Sequence, residues 1–452
     1  MRCNRLGKCW RAVLAIVLFA AINALATAQG LTLKGIAPGK MKSGPAMGKP
    51  CLDIWVSGVS AVPAGVYPYT YHSRITTSDN SLTSNKDISA FISFAPGRDE
   101  LVQIQLTTLL NGVRFSNTLE GLGWIEFAGR SSQVENFWVP LPLILVPGID
   151  PLDRYAAGGH GTFPIAEAWL RTQGYRTTLD PDPFNPAGGA LNTYPTLSTL
   201  TYARNLDSFA IAASKLQAEA SAALTSTFAS KVIFIAHSKG SLVVRKYFVD
   251  YGTSSCKGAL LIQGPHTGSV WAKYPNLGTY WAIGGDYTNL YPTYKSMRAT
   301  GRGSARQYIY SPQNTELDAL NNDLRSMPQD IPVQVAASLG YRTAFVHGEG
   351  SYLPDLLLNT QPGDRVVTYR SQTGSIFDPN TRQSEYVPAF AQHLPTTYTI
   401  TSDHLSSMAT QQTFSAAFAP FLAELETTGS SRGGGRRASI IFPQVANAVA
   451  LH

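Results

Sequence analysis

KVIFIAHSKGSLVVRKYFV, residues 231–249, holds two hydrophobic patterns in immediate succession. Val232 to Ile235 is an unbroken apolar run rich in β-branched residues, the composition of a strand buried on both faces of a parallel sheet. After Ala236-His237-Ser238-Lys239-Gly240, the apolar residues Leu242, Val243 and Tyr247 recur at helical spacing. Ser238 therefore stands at a sharp strand-to-helix turn.

Such a turn exposes a serine hydroxyl, and it tolerates only small residues two positions either side, here Ala236 and Gly240. The helix that follows presents N–H groups at its start, so the backbone of Lys239 is the expected donor to an oxyanion formed beside Ser238. Small-x-Ser-x-Gly alone is a weak pattern whose ordinary reading is a Ser/Gly turn; the strand and helix around it give it weight.

With these flanks, AHSKGSLVVR resembles the nucleophile elbow of α/β-hydrolases of the secreted triacylglycerol-lipase branch, with Arg245 at the family's arginine and Lys239 and Ser241 as departures. Four further segments resemble the same family. LPLILVPGID, from about Val139, looks like the oxyanion-loop strand, with Pro147 in place of the usual histidine and Ile149 as the second oxyanion donor. GPHTGS, residues 264–269, resembles TPHRGS, which implies a structural role for His266. PGDRVV and SDHLSSM resemble the segments carrying the family's acid and base.

An activated serine needs a histidine to take its proton and a carboxylate to orient the histidine, in the chain order Ser, Asp/Glu, His for this fold. Asp364 and His404 fit that order and lie in the matching motifs. The rivals are Asp355, ahead of a leucine run, Asp378 in a D-P-N turn, His347, which precedes the acid, and His393 in a Pro-flanked loop.

The fold class expected is α/β: an α/β-hydrolase fold with a mostly parallel sheet over residues 139–427, preceded at 51–138 by a small all-β domain of immunoglobulin-like shape. The second expectation rests on short runs of period two such as LDIWVSGV, ISAFISF, LVQIQLTTLL and GLGWIEFAG between Gly, Pro, Asn and Ser turns. Trp55, Tyr69 and Trp124 read as core of that domain. FPIAEAWLRTQGY reads as a helix, YRTTLDPDPF as the next strand and loop, and residues 202–224 as a long helix leading into the elbow strand. YRTAFVHGEG reads as the strand ahead of the acid. Residues 270–332 are aromatic and glycine-rich, as in a cap or lid over an acyl-binding site. Residues 411–426 read as a closing helix broken at Pro420, and 428–452 as a flexible tail.

Residues 1–28 carry Arg2, Arg5, Lys8 and Arg11, an apolar run from Ala12 to Ile22, and Ala26-Thr27-Ala28, which reads as a cleavable signal peptide. The run falls short of the roughly 20 residues a spanning helix needs, so no transmembrane segment is expected in the mature chain, which would be secreted or periplasmic. Residues 29–50, mixed Gly, Pro, Lys and Met, read as a flexible linker. The formal net charge of +7 comes largely from the two ends, which leaves the body near neutral and argues against nucleic-acid binding. No Cys/His cluster has the spacing of a structural zinc site, and no cofactor is implied. Cys51 and Cys256 remain after signal cleavage, either paired or free.

The function expected is therefore a secreted serine hydrolase of carboxylic esters, with lipid or acylglycerol-type substrates and interfacial contact with lipid. The alternatives are an acyltransferase or deacylase with the same triad, and a non-catalytic surface-binding protein on a hydrolase scaffold.

Overall fold

A computed structural model describes residues 32–57, 64–94, 98–127, 130–148, 163–180, 194–200, 208–269, 315–344, 360–364, 366–378, 383–404 and 406–427. The chain divides into two units, one of Met1–Pro140, Arg176–Pro195 and Ser226–Ala229, the other of Leu141–Tyr175, Thr196–Thr225 and Ser230–His452.

The first unit is built from antiparallel strands. β1 (Thr32–Lys40), β2 (Pro50–Ser57) and β5 (Glu100–Gln105) form one sheet in the order β1-β2-β5. β3 (Gly65–Thr77), β4 (Thr83–Phe94), β6 (Leu119–Phe127), β7 (Arg130–Ser131) and β8 (Glu135–Val139) form the other, with β8 on β6. Alternation explains the second sheet: Tyr69, Tyr71, Ser73, Ile75 and Thr77 of β3 are buried, while the intervening residues face out. The two sheets meet at Gly123, where a Cβ would come within 2.6 Å of Ile36 and Tyr71.

β1 overturns the expected linker at 29–50. Its glycines read as loop residues in the sequence, but Gly39 is the point at which β1 passes over Asp53, whose carboxylate would lie within 2.5 Å of any Cβ. β5 is also shorter than the run LVQIQLTTLL suggests, because Leu106–Leu109 turns into a helix.

The second unit contains a six-stranded sheet in the order β10-β9-β11-β12-β13-β18, every pairing parallel. Its strands are β9 (Leu143–Val146), β10 (Leu197–Thr199), β11 (Val232–His237), β12 (Cys256–Ile262), β13 (Val333–Ser338) and β18 (Thr397–Ile400). All six residues of β11 are buried, as a central parallel strand requires. The main helices are α1 (Pro164–Thr172), α2 (Phe209–Thr227), α3 (Lys239–Tyr251), α4 (Thr315–Asn322) and α5 (Ala419–Thr427). Phe234, Val243, Tyr247, Ala259 and Val335 share a buried apolar cluster that fixes α3 on the sheet. Burying a side chain of Phe size there contributes roughly 1.5–3 kcal/mol.

Several expected elements shift. FPIAEAWLRTQGY is a helix as read, opened by Pro164 and followed by Gly174 at φ 87°, but residues 175–180 contain no strand, and the βαβ unit closes at β10. The helix ahead of the elbow is described from Ser208 onward; residues 201–207 lie outside the described residues. YRTA is not a sheet strand: β14 (Tyr341–Ala344) pairs antiparallel with β15 (Thr360–Gly363) in a separate ribbon. β16 (Ser375–Asp378) and β17 (Gln383–Tyr386) form a second ribbon. The short β13 carries Gln334 and two alanines, so its apolar signal was faint. Of the expected cap, residues 270–314 lie outside the described residues, whereas Leu317 and Leu320 are buried against Phe209 and Leu242. The closing helical stretch does not break at Pro420, which lies in the first turn of α5; the irregularity is a π-turn, Phe414–Phe418, just before it.

Cys51 and Cys256 are both free and buried. Burial pushes the Cys256 thiol up to about 12, and burial with the Asp53 carboxylate pushes Cys51 up as well.

Candidate active site

Ser238 follows β11 directly and precedes the first residue of α3. Its backbone stands at φ 54° and ψ −126°, a conformation that costs a non-glycine residue about 1–3 kcal/mol. The surrounding ladder holds it there: Ser238 N donates to Ile262 O at 2.9 Å, and Ser241 N donates to Ser238 O at 3.0 Å. Gly240 is required by contact, since a Cβ would lie 2.2 Å from Val146 O. Gly148 faces the elbow from the other side, 2.7 Å from Ser238 Cβ by the same construction. Lys239 opens α3 and is fully buried, its backbone at the positive end of the helix. Ile149, the other expected oxyanion donor, lies outside the described residues.

Asp364 follows β15 and is fully buried. Its Oδ1 accepts from Val366 N at 2.9 Å and Val367 N at 2.7 Å. That leaves Oδ2 for His404, whose Nδ1 lies 2.7 Å away. The two loops are also joined by backbone, His404 N donating to Asp364 O at 3.0 Å. His404 Nε2 lies 2.9 Å from Ser238 Oγ. Asp364, His404 and Ser238 thus form one continuous hydrogen-bonded line, with Ser238 and His404 slightly open to solvent at 8% and 6% exposure.

A parallel sheet whose interior strand ends in a strained serine, met by an acid and then a histidine from later in the chain, decides the architecture. The second unit has the α/β-hydrolase fold. No family model matches the chain, and no curated protein matches it. Among solved structures, the chain is similar to the mature Bacillus licheniformis lipase BlEst2, at 16% identity over 62% of this chain and 91% of that one, TM-score 0.36. It is similar to phospholipase PlaB from Legionella pneumophila at 11% identity over 64% and 61% of the two chains, TM-score 0.42. A third is lipase 1 from Pelosinus fermentans, 15% identical over 64% and 98%, TM-score 0.30.

Among the described residues, two more histidines are buried in the α/β-hydrolase unit. His237 packs its ring 4.9 Å from that of His404, centroid to centroid. Burial, then the neighbouring His404 charge, pushes its pKa down to about 3, against a smaller opposing pull from the Gln263 amide. His266 is held well below the ordinary value by burial and then by Arg245, and it packs on Phe390. Its segment supports the acid loop, since Ser269 Oγ donates to Val366 O at 2.7 Å. Arg245 is fully buried and donates to Asn321 Oδ1, Leu320 O and Ser326 Oγ, tying α3 to α4 and the turn after it.

Of the rival residues, His393 follows a short helix and is not in the line, Asp378 is the last residue of β16, and Asp355 and His347 lie outside the described residues. Sequence reading missed the buried amides around the site, Gln263 and Gln372, because a glutamine in an apolar stretch carries no motif. Among the described residues, no group of three or more His, Cys, Asp or Glu side chains could hold a metal ion, and no helix is long and apolar enough to cross a membrane.

Proposed function

We propose that the chain is a serine hydrolase of carboxylic esters, acting on lipid or acylglycerol-type substrates. The observation that carries this reading is the line Asp364, His404, Ser238, with separations of 2.7 and 2.9 Å. In the proposed reaction His404 Nε2 takes the Ser238 proton as Oγ attacks the ester carbonyl, and Asp364 holds the imidazole in the tautomer that leaves Nε2 free to accept. The backbone N–H groups of Lys239 and Ile149 receive the oxyanion. The collapsing intermediate expels the alcohol, which takes the proton from His404, and water then releases the acyl group by the same steps. His237, kept neutral by burial, adds no positive charge beside the imidazolium that forms on His404.

The lipid preference is supported by the aromatic stretch within 270–314, and export by the signal-like residues 1–28, with the mature chain secreted or periplasmic. We read the first unit as an immunoglobulin-like accessory domain, supported by its two antiparallel sheets.

The test is hydrolysis of 4-nitrophenyl esters of increasing acyl length by the mature protein and its Ser238→Ala variant. The expected result is a loss of at least about 10^4-fold in kcat in the variant, with the wild-type rate greatest on long chains. Equal rates with and without Ser238 would refute the reading, and acyl transfer to added alcohol in preference to water would redirect it to a transferase.

A further inference from the structure

Gln263 is the first residue beyond β12, fully buried, with φ at 48°. A side chain in the left-handed region strains the backbone, whereas glycine is at ease there. What this side chain does and glycine cannot is make a bridge: Nε2 donates to Ser402 O at 3.0 Å, two residues ahead of His404. The backbone N of Gln263 meanwhile donates to Ala336 O at 2.8 Å, which anchors the residue in the sheet. One residue earlier, Ile262 O accepts from Ser238 N at 2.9 Å. Gln263 therefore joins the strand that braces the serine to the loop that carries the histidine.

The same Ser402 carbonyl accepts from Ser338 Oγ at 2.8 Å. Ser338 N donates to Gln372 Oε1 at 2.7 Å, and Gln372 Nε2 donates to Val367 O at 2.8 Å. Val367 N in turn donates to Asp364 Oδ1 at 2.7 Å. The acid loop and the histidine loop are thus held by one buried polar chain, of which Gln263 is the end nearest the serine. Buried networks of this kind fix geometry only when their members stay bonded.

We propose that Gln263 is a positioning residue: by holding Ser402 O it keeps the His404 imidazole in line with Ser238 Oγ, touching no reacting atom itself. The inference rests on the ester-hydrolase reading above and adds a residue to it.

The test uses Gln263→Gly, which accepts the left-handed backbone, and Gln263→Met, which keeps the bulk but has no N–H to donate. Two readouts are taken: kcat and KM on a 4-nitrophenyl ester, and the low-field proton NMR signal of the His404 Nδ1 proton shared with Asp364. Both variants are expected to lose about 10- to 100-fold in kcat with KM within about twofold, and to broaden or lose the low-field signal. Wild-type kcat with an unchanged signal in both variants would overturn the proposal. Ser238→Ala separates the two claims. If that variant keeps the wild-type rate, the ester reading fails, and the NMR signal alone then decides whether Gln263 positions His404.

Discussion

At the scale of single residues, the site is a set of backbone positions held where isolated residues would not stay. Ser238 occupies positive φ because the strand before it and the helix after it leave no other path, and Gly240 lets that helix close on Val146 and Pro147. A methyl group at 240 would sit 2.2 Å from Val146 O, a backbone atom within β9 that has no room to withdraw. Gly240→Ala is therefore expected to cost at least about 3 kcal/mol of stability or to prevent folding, measured by urea unfolding. A loss under about 1 kcal/mol would show that α3 is free to shift and that the close approach is not needed.

At the scale of elements, the legible parts were those in which pattern and packing coincide. β9 and the greater part of β11 and β12 are apolar runs because both faces are covered, and α3 declares itself by its spacing. Ser238, Asp364 and His404 stood out in the sequence because each lies in a short motif, and the structure brings these side chains into one hydrogen-bonded line. Elements were misread where local composition and tertiary contact disagree. β1 looks like a linker because its Gly39 serves a close approach to Asp53, which only the folded chain reveals. YRTA reads as a sheet strand from its own residues, yet the sheet position belongs to VQVAAS, which carries less apolar signal. Gln263 was invisible for a different reason: its importance lies in a backbone angle and a contact 139 residues away.

At the scale of the whole molecule, buried histidines set the response to acid. His237 is pushed down to about 3 and His266 is held well below the ordinary histidine value of about 6.5, each mainly by burial. Below about pH 6.5 the unfolded chain takes up protons on these rings that the folded chain refuses. Their contribution to stability is thus fully present above about pH 6.5 and is lost progressively as pH falls toward about 3. The thermal midpoint is expected to fall across that window, and to fall less steeply in His266→Gln, which has no ring to protonate. Parallel curves for the two proteins, measured by thermal unfolding between pH 7 and pH 4, would contradict the assignment.

The central claim is that Ser238 is an activated nucleophile, and covalent labelling tests it most directly. The mature protein is treated with a fluorophosphonate, and the modified peptide is located by mass spectrometry. The expected result is one adduct per chain, on Ser238, formed at least about 10^3-fold more slowly when His404 is changed to Ala. Absence of an adduct, or an adduct on another serine at an equal rate in both proteins, would contradict it.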